Sequence, residues 1–147
     1  FDFDKVTEQS KDNPVFYVQY ANARVNSILR KARDAGLDVS DATLLASRLA
    51  HLGHEAELAV IRKLAEWPRL VEIAARGNEP HRVAFYLYEL ASDFHALWNR
   101  GNDDDNLRFI QADKAISQAK LALARSEGVV ICAGLGILGV TPVEEMR

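Results

Sequence analysis

The sequence predicts an all-α helical bundle, and three observations carry that prediction. No window of alternating apolar and polar residues is long enough to form a strand. The chain is rich in alanine, leucine, glutamate and arginine, the stronger helix formers. Helix start and stop signals recur along its whole length. With 147 residues, 48% apolar and 27% charged, it has the size and balance of one ordinary globular domain.

Residues 1–12 are polar and of mixed charge, with Phe1 and Phe3 alternating, and read as a lead-in from a preceding domain. The start at Phe1, without methionine or signal segment, reads as a piece of something longer. The domain proper is expected over 13–147. Asp12 or Asn13 can cap a first helix with Pro14 in its first turn, running to about Asp34 and stopped by Gly36. A second helix is expected from Ser40–Asp41 to His51–Gly53. A third should run from about His54 to Trp67, ended by Pro68. A short fourth covers Arg69 to Ala75, with its stop at Gly77. Asn78-Glu79-Pro80 repeats the cap-then-proline signal and opens a long helix to about Asn99. Gly101 to Asn106 reads as a polar loop, and Leu107 to Ile110 as briefly extended. A last helix is expected from Asp113 to Leu138, with Gly128 and Gly134 permitting close helix–helix approach.

Residues advance about 100° each along a helix. On the first helix, Val18, Ala21, Val25, Leu29 and Ala32 therefore form a core stripe. Tyr17, Tyr20, Arg24, Ser27 and Lys31 form a different one. This second stripe has two readings: half-buried tyrosines with a solvated basic rim, or a platform on which unpaired bases stack while cations meet phosphates. On the long helix, Val83, Tyr86, Leu87, Leu90, Phe94 and Leu97 are core. Tyr88, Ala91, His95 and Trp98 lie on its flank, and Trp98 suits either a core edge or a binding residue.

The net charge of −3 argues mildly against a nucleic-acid binder, but the charge is unevenly distributed. From Asn13 to Arg33 there are basic residues at Arg24, Arg30, Lys31 and Arg33 and no acid. One cysteine, Cys132, excludes an internal disulfide framework and fits a reducing, cytoplasmic compartment. It lies in an apolar stretch where a thiol is inert. The longest apolar run, Val129 to Val140, is too short for a bilayer, so no membrane is expected as partner.

Other patterns carry little. His51-Leu-Gly-His54 resembles an aminoacyl-tRNA synthetase signature but lacks the parallel strand that signature requires. As metal ligands, His51 and His54 fall short of the four that structural zinc takes, even with Glu55 and Glu57 nearby, and His81 and His95 lie on another helix; no metal site is expected. No Gly-x-Ser-x-Gly elbow is present. The glycines at 134, 136 and 139 follow a helix rather than a strand, so they form no phosphate loop. Asp103-Asp104-Asp105 reads as a solvated loop.

The string Asp12-Asn-Pro-Val-Phe-Tyr-Val-Gln-Tyr-Ala-Asn-Ala-Arg24 resembles the opening of the C-terminal, DALR-type anticodon-binding domain of arginyl-tRNA synthetases, a class Ia aminoacyl-tRNA synthetase fold. Leu58 to Val71 with Trp67-Pro68, Glu79 to Ala91, and Ala133 to Met146 agree with that family in order, so the resemblance covers residues 8–147. It implies that Tyr17, Tyr20 and Arg24 pack against the anticodon loop and that Trp98 and Met146 meet anticodon bases; an RNA-docking module of this kind would hold phosphates with Arg24, Arg30 and Lys31. Glu145 stands where relatives often carry arginine. Asn22 replaces a common histidine, a departure expected to matter little. The implied partners are the anticodon stem-loop of tRNA(Arg) and an upstream catalytic domain using ATP with Mg. No cofactor is implied in the residues at hand, and the parent would be a monomeric arginine–tRNA ligase. The competing class is a helical scaffold or protein-interaction domain without an RNA role, which the acidic net charge favours.

Overall fold

The computed structural model describes residues 13–146. The lead-in read over residues 1–12, and Arg147, lie outside them. Among the described residues there are six α-helices and two short 3₁₀ turns, with no strand. The helices are α1 (Pro14–Asp34), α2 (Asp41–Leu45), α3 (Glu55–Ala65), α4 (Trp67–Gly77), α5 (His81–Asp103) and α6 (Lys114–Ile137). The long helices α1, α5 and α6 pack on one another, α3 covers α5 and α6, α2 leans on α6 and α4 on α5.

α1 begins where Asn13 takes the amides of Val15 and Phe16 on its side-chain oxygen, at 3.0 and 3.3 Å. All five residues of its expected core stripe are buried, and so are the six of α5. α6 starts one residue after its cap, Asp113, which accepts from Ala115 and Ile116.

Four boundaries differ from the sequence reading, each for a local reason. The helix after Ser40 stops at Leu45, because Ser47 bonds back to the Leu44 carbonyl through its hydroxyl (2.7 Å) and its amide (3.2 Å). The chain then makes a 3₁₀ turn at Leu49–His51 rather than continuing the helix. α3 ends at Ala65, not Trp67: Pro68 has no N–H to continue the ladder, yet it fits the first turn of α4, which restarts at once. Asn78 does not cap α5. It closes α4 in the left-handed region at φ 52°, while Glu79 pairs with Arg82 instead. α5 continues through Gly101 to Asp103, and Asp105–Leu107 is a 3₁₀ turn, so little of the expected 101–106 loop is irregular. Arg108 is extended, as read for this stretch.

Two glycines of α6 set the helix spacing. A Cβ on Gly134 would fall 2.6 Å from the buried Leu87 side chain of α5, and one on Gly128 would fall 3.0 Å from Val25 of α1. Gly136, on the same helix, has nothing within 4 Å of that position. Gly134→Ala should therefore destabilise by about 1–2 kcal/mol, overpacking outweighing the gain in helix propensity. Gly136→Ala should stabilise by about 0.5–1 kcal/mol. Urea denaturation of the two variants, with opposite signs expected, measures this.

Two carboxylates lie in the core. Glu57 of α3 is paired with Lys120 of α6, both buried, and it also accepts from the His54 amide in a capping box. His54 Nδ1 in turn accepts from Ala56, which employs this histidine as a cap. Glu127 of α6 is 0% exposed, and neither of its carboxylate oxygens has a hydrogen-bond partner among the described residues. Burial pushes its carboxyl well above the usual range, and the Asp93 carboxylate adds to that.

Candidate nucleic-acid interface

The chain leaves α6 through Gly139 in the left-handed region at φ 73°, with Val140 bonded back to the Leu135 carbonyl at 2.9 Å. This turn sends the tail back across α1, where two amides on the buried side hold it. Gln19 donates to the Thr141 carbonyl (2.9 Å) and accepts from the Val143 amide (2.8 Å). Asn22, 1% exposed, donates to the Val143 carbonyl (2.9 Å). Asn22 is thus a clamp, which corrects the expectation that its identity matters little.

The clamp brings Glu145 and Met146 beside the basic stripe of α1. Tyr20, Arg24, Arg30 and Lys31 of α1, Trp98 of α5 and Met146 line one cleft of about 370 Å³. Six of the seven residues singled out from sequence meet there. Glu145 lines it too and pairs with Arg30 at 3.4 Å.

Arg24 is the centre of the arrangement. Its guanidinium carbon lies 4.7 Å from the Tyr20 ring centroid and 4.9 Å from that of Trp98. It donates to the Tyr20 hydroxyl at 3.0 Å and meets His95 Nδ1 at 2.8 Å. A guanidinium has no acceptor, so Nδ1 must accept and Nε2 carries the proton toward the Tyr17 carbonyl at 3.4 Å. Burial, reinforced by the Arg24 charge, lowers the His95 pKa to about 4 against the opposing hydrogen bond to Tyr17. The imidazole is therefore a neutral acceptor at pH 7. It also stacks near the Tyr20 ring at 5.4 Å, which fixes that ring from behind.

Tyr17 sits apart from this cleft. It is half-buried against Tyr88 (5.0 Å) and His95 (4.6 Å), and lines a neighbouring hollow with Phe16, Tyr20 and Asn99. Tyr20 is 41% exposed. Of the two tyrosines, then, Tyr17 is half-buried and Tyr20 is exposed. His95, Gln19 and Asn22 had no assigned role in the sequence reading. The available signal was polar side chains placed on the packed sides of α1 and α5.

The described residues hold no group of three or more histidine, cysteine or acidic side chains able to bind a metal. No helix among them is long and apolar enough to cross a membrane. The space at Gly134 is filled by Leu87.

The described residues form an all-helical domain with a basic, aromatic cleft built from one face of α1, Trp98 of α5 and the clamped tail, the kind of surface that suits a nucleic acid. The chain is a member of the DALR anticodon binding domain family, whose model matches residues 18–146. It is 77% identical over 147 residues to an arginine–tRNA ligase of Cereibacter sphaeroides, covering 100% of this chain and 25% of that protein. It is 76% identical over 148 residues to an arginine–tRNA ligase of Ruegeria pomeroyi, covering 100% of this chain and 26% of that protein. The chain thus spans about a quarter of the length of these relatives. The arginyl-tRNA synthetase structure from Thermus thermophilus superposes with a TM-score of 0.81 at 30% identity, over 99% of this chain and 23% of that one.

Proposed function

We propose that this chain is the anticodon-recognition part of an arginine–tRNA ligase, docking the anticodon stem-loop of its tRNA. The observation that carries the reading is the convergence of Tyr20, Arg24, Arg30, Lys31, Trp98 and Met146 on one cleft from three separate segments. In this reading unstacked loop bases lie against Tyr20 and the Trp98–Met146 wall, and phosphates meet Arg24, Arg30 and Lys31. Tyr17 supports the Tyr20–His95 cluster and borders the hollow beside it. Residues 13–147 act as the recognition domain, and the first twelve lead in from the catalytic region. Arginine activation with ATP and Mg belongs to that region. The parent works as a monomer in the cytoplasm.

Fluorescence anisotropy with a labelled tRNA(Arg) anticodon stem-loop tests this. Each phosphate neutralised adds about −0.7 to −0.9 to the slope of log K against log salt, so three cations give roughly −2 to −3. Absence of binding at low salt would overturn the reading in favour of a protein-interaction scaffold.

A further inference from the structure

We propose that the hollow on the far side of Trp98 is a second nucleobase subsite, taking one unstacked base from the same RNA. The inference rests on the RNA-docking reading above. The hollow has a volume of about 270 Å³, and its apolar floor includes Ile28, Trp98, Phe109 and Ile110. Lys31 and Asn102 stand among its lining residues, which include no acid. It adjoins the cleft, because Lys31 and Trp98 line both.

Its outer wall is preformed. Gly101 has only a hydrogen where a Cβ would stand 3.5 Å from Arg108 N and Leu107 O, so the chain after α5 folds back close against the helix. Arg108 donates to the Gly101 carbonyl at 3.0 Å and pairs with Asp105 at 2.9 Å. The Gln111 amide bridges the carbonyls of Asp105 and Arg108, both at 2.7 Å. Ser117 fixes Gln111 in turn, accepting from its backbone amide at 2.8 Å and donating to its carbonyl at 3.0 Å. A wall held this way loses little freedom when a ligand enters. Phe109 lies against Trp98 with ring centroids 6.2 Å apart and planes 24° from parallel, so the floor is a nearly continuous aromatic surface.

A flat heteroaromatic ring suits this site better than a phosphate or an aliphatic chain. The floor offers apolar and aromatic contact. Asn102 offers both a donor and an acceptor to a base edge, and Lys31 meets the phosphate at the mouth. Trp98 then stands as a partition between two neighbouring bases, with Arg24 on the cleft side and Phe109 on the other.

The test uses anticodon stem-loops carrying one abasic nucleotide each, measured against the unsubstituted chain and against Ile110→Trp, which fills the hollow. Asn102→Trp is the second variant; it closes the mouth from an exposed position and leaves the core untouched. With the unsubstituted chain, two loop positions should each show a five- to hundredfold loss when abasic, one per subsite. Both tryptophan variants should lose about the same factor on the intact loop. They should also lose the abasic penalty at one of those positions only. Unchanged affinity in both variants, or abasic penalties that persist at every position, would overturn the subsite; an apolar protein side chain as the true occupant gives this result. Failure of the intact loop to bind the unsubstituted chain would instead overturn the RNA-docking reading itself.

Discussion

Arg24→Ala is expected to weaken binding of the anticodon stem-loop by roughly ten- to a hundredfold, the sum of a lost phosphate contact and a lost ring-stacked cation. It is also expected to lower stability by about 1–3 kcal/mol, because His95 Nδ1 would be left buried without its donor. The two effects separate in Arg24→Lys. An ammonium keeps the charge but cannot serve the Tyr20 hydroxyl, His95 and two aromatic rings from one plane. Lysine should therefore retain the salt dependence while still losing affinity, whereas alanine should flatten the slope of log K against log salt by about 0.7–0.9. Equal slopes for the alanine variant and the unsubstituted chain would show that Arg24 organises the aromatic cluster without touching RNA charge.

The second large effect is on stability and has the opposite sign. Glu127→Met should stabilise the domain by about 1–3 kcal/mol, raising Tm by roughly 3–10 °C, since it removes a buried carboxyl with no partner and keeps similar volume. The pH dependence identifies the cause. The folded-state pKa of Glu127 lies above its unfolded value, so from about pH 4.5 upward the folded chain holds a proton that the unfolded chain releases. That costs the native chain stability as pH rises, up to the folded-state pKa, and the methionine variant is free of the cost. The advantage of the variant should therefore be smallest near pH 4.5 and grow toward neutrality. A difference that shrinks with rising pH would mean that the carboxylate is ionised and served in the folded state.

Much of the fold was legible because it rests on local periodicity. The core stripes of α1 and α5 follow from the 100° advance alone, and the cap at Asn13 from residue type and position. Boundaries went astray where a side chain competed with the helix ladder or a distant segment covered it. Ser47 took a carbonyl that the pattern assigned to the helix. Asn78 used its tolerance of positive φ to end one helix rather than to open the next. Gly101 reads as a breaker in sequence, but it lies in the last turn of α5, where the returning chain packs on it.

The candidate site divides along the same line. Tyr20, Arg24, Arg30 and Lys31 come from one helix; Tyr20, Arg24 and Lys31 could be picked by spacing, and Arg30 by the charge of an acid-free segment. Trp98 was left open between core edge and binding residue by its place on the flank of α5, and Met146 entered through the family resemblance alone. The side chains that hold the cleft together were not visible at all: Arg24 meets His95 across 71 positions, and Gln19 meets Thr141 across 122. No local pattern marks which buried amide or imidazole will find a partner that far away.

The same long separations set an order of events during synthesis. A ribosome delivers Gln19 and Asn22 more than a hundred residues before Thr141 and Val143 arrive to occupy them. Until then the emerging α1 carries two amides whose partners do not yet exist, and the wall at Met146 is missing. A chain interrupted after α6 can pack its helices and still lack that wall. In the anticodon-docking reading proposed above, the cleft is therefore complete only once the stretch up to Met146 has been made and clamped.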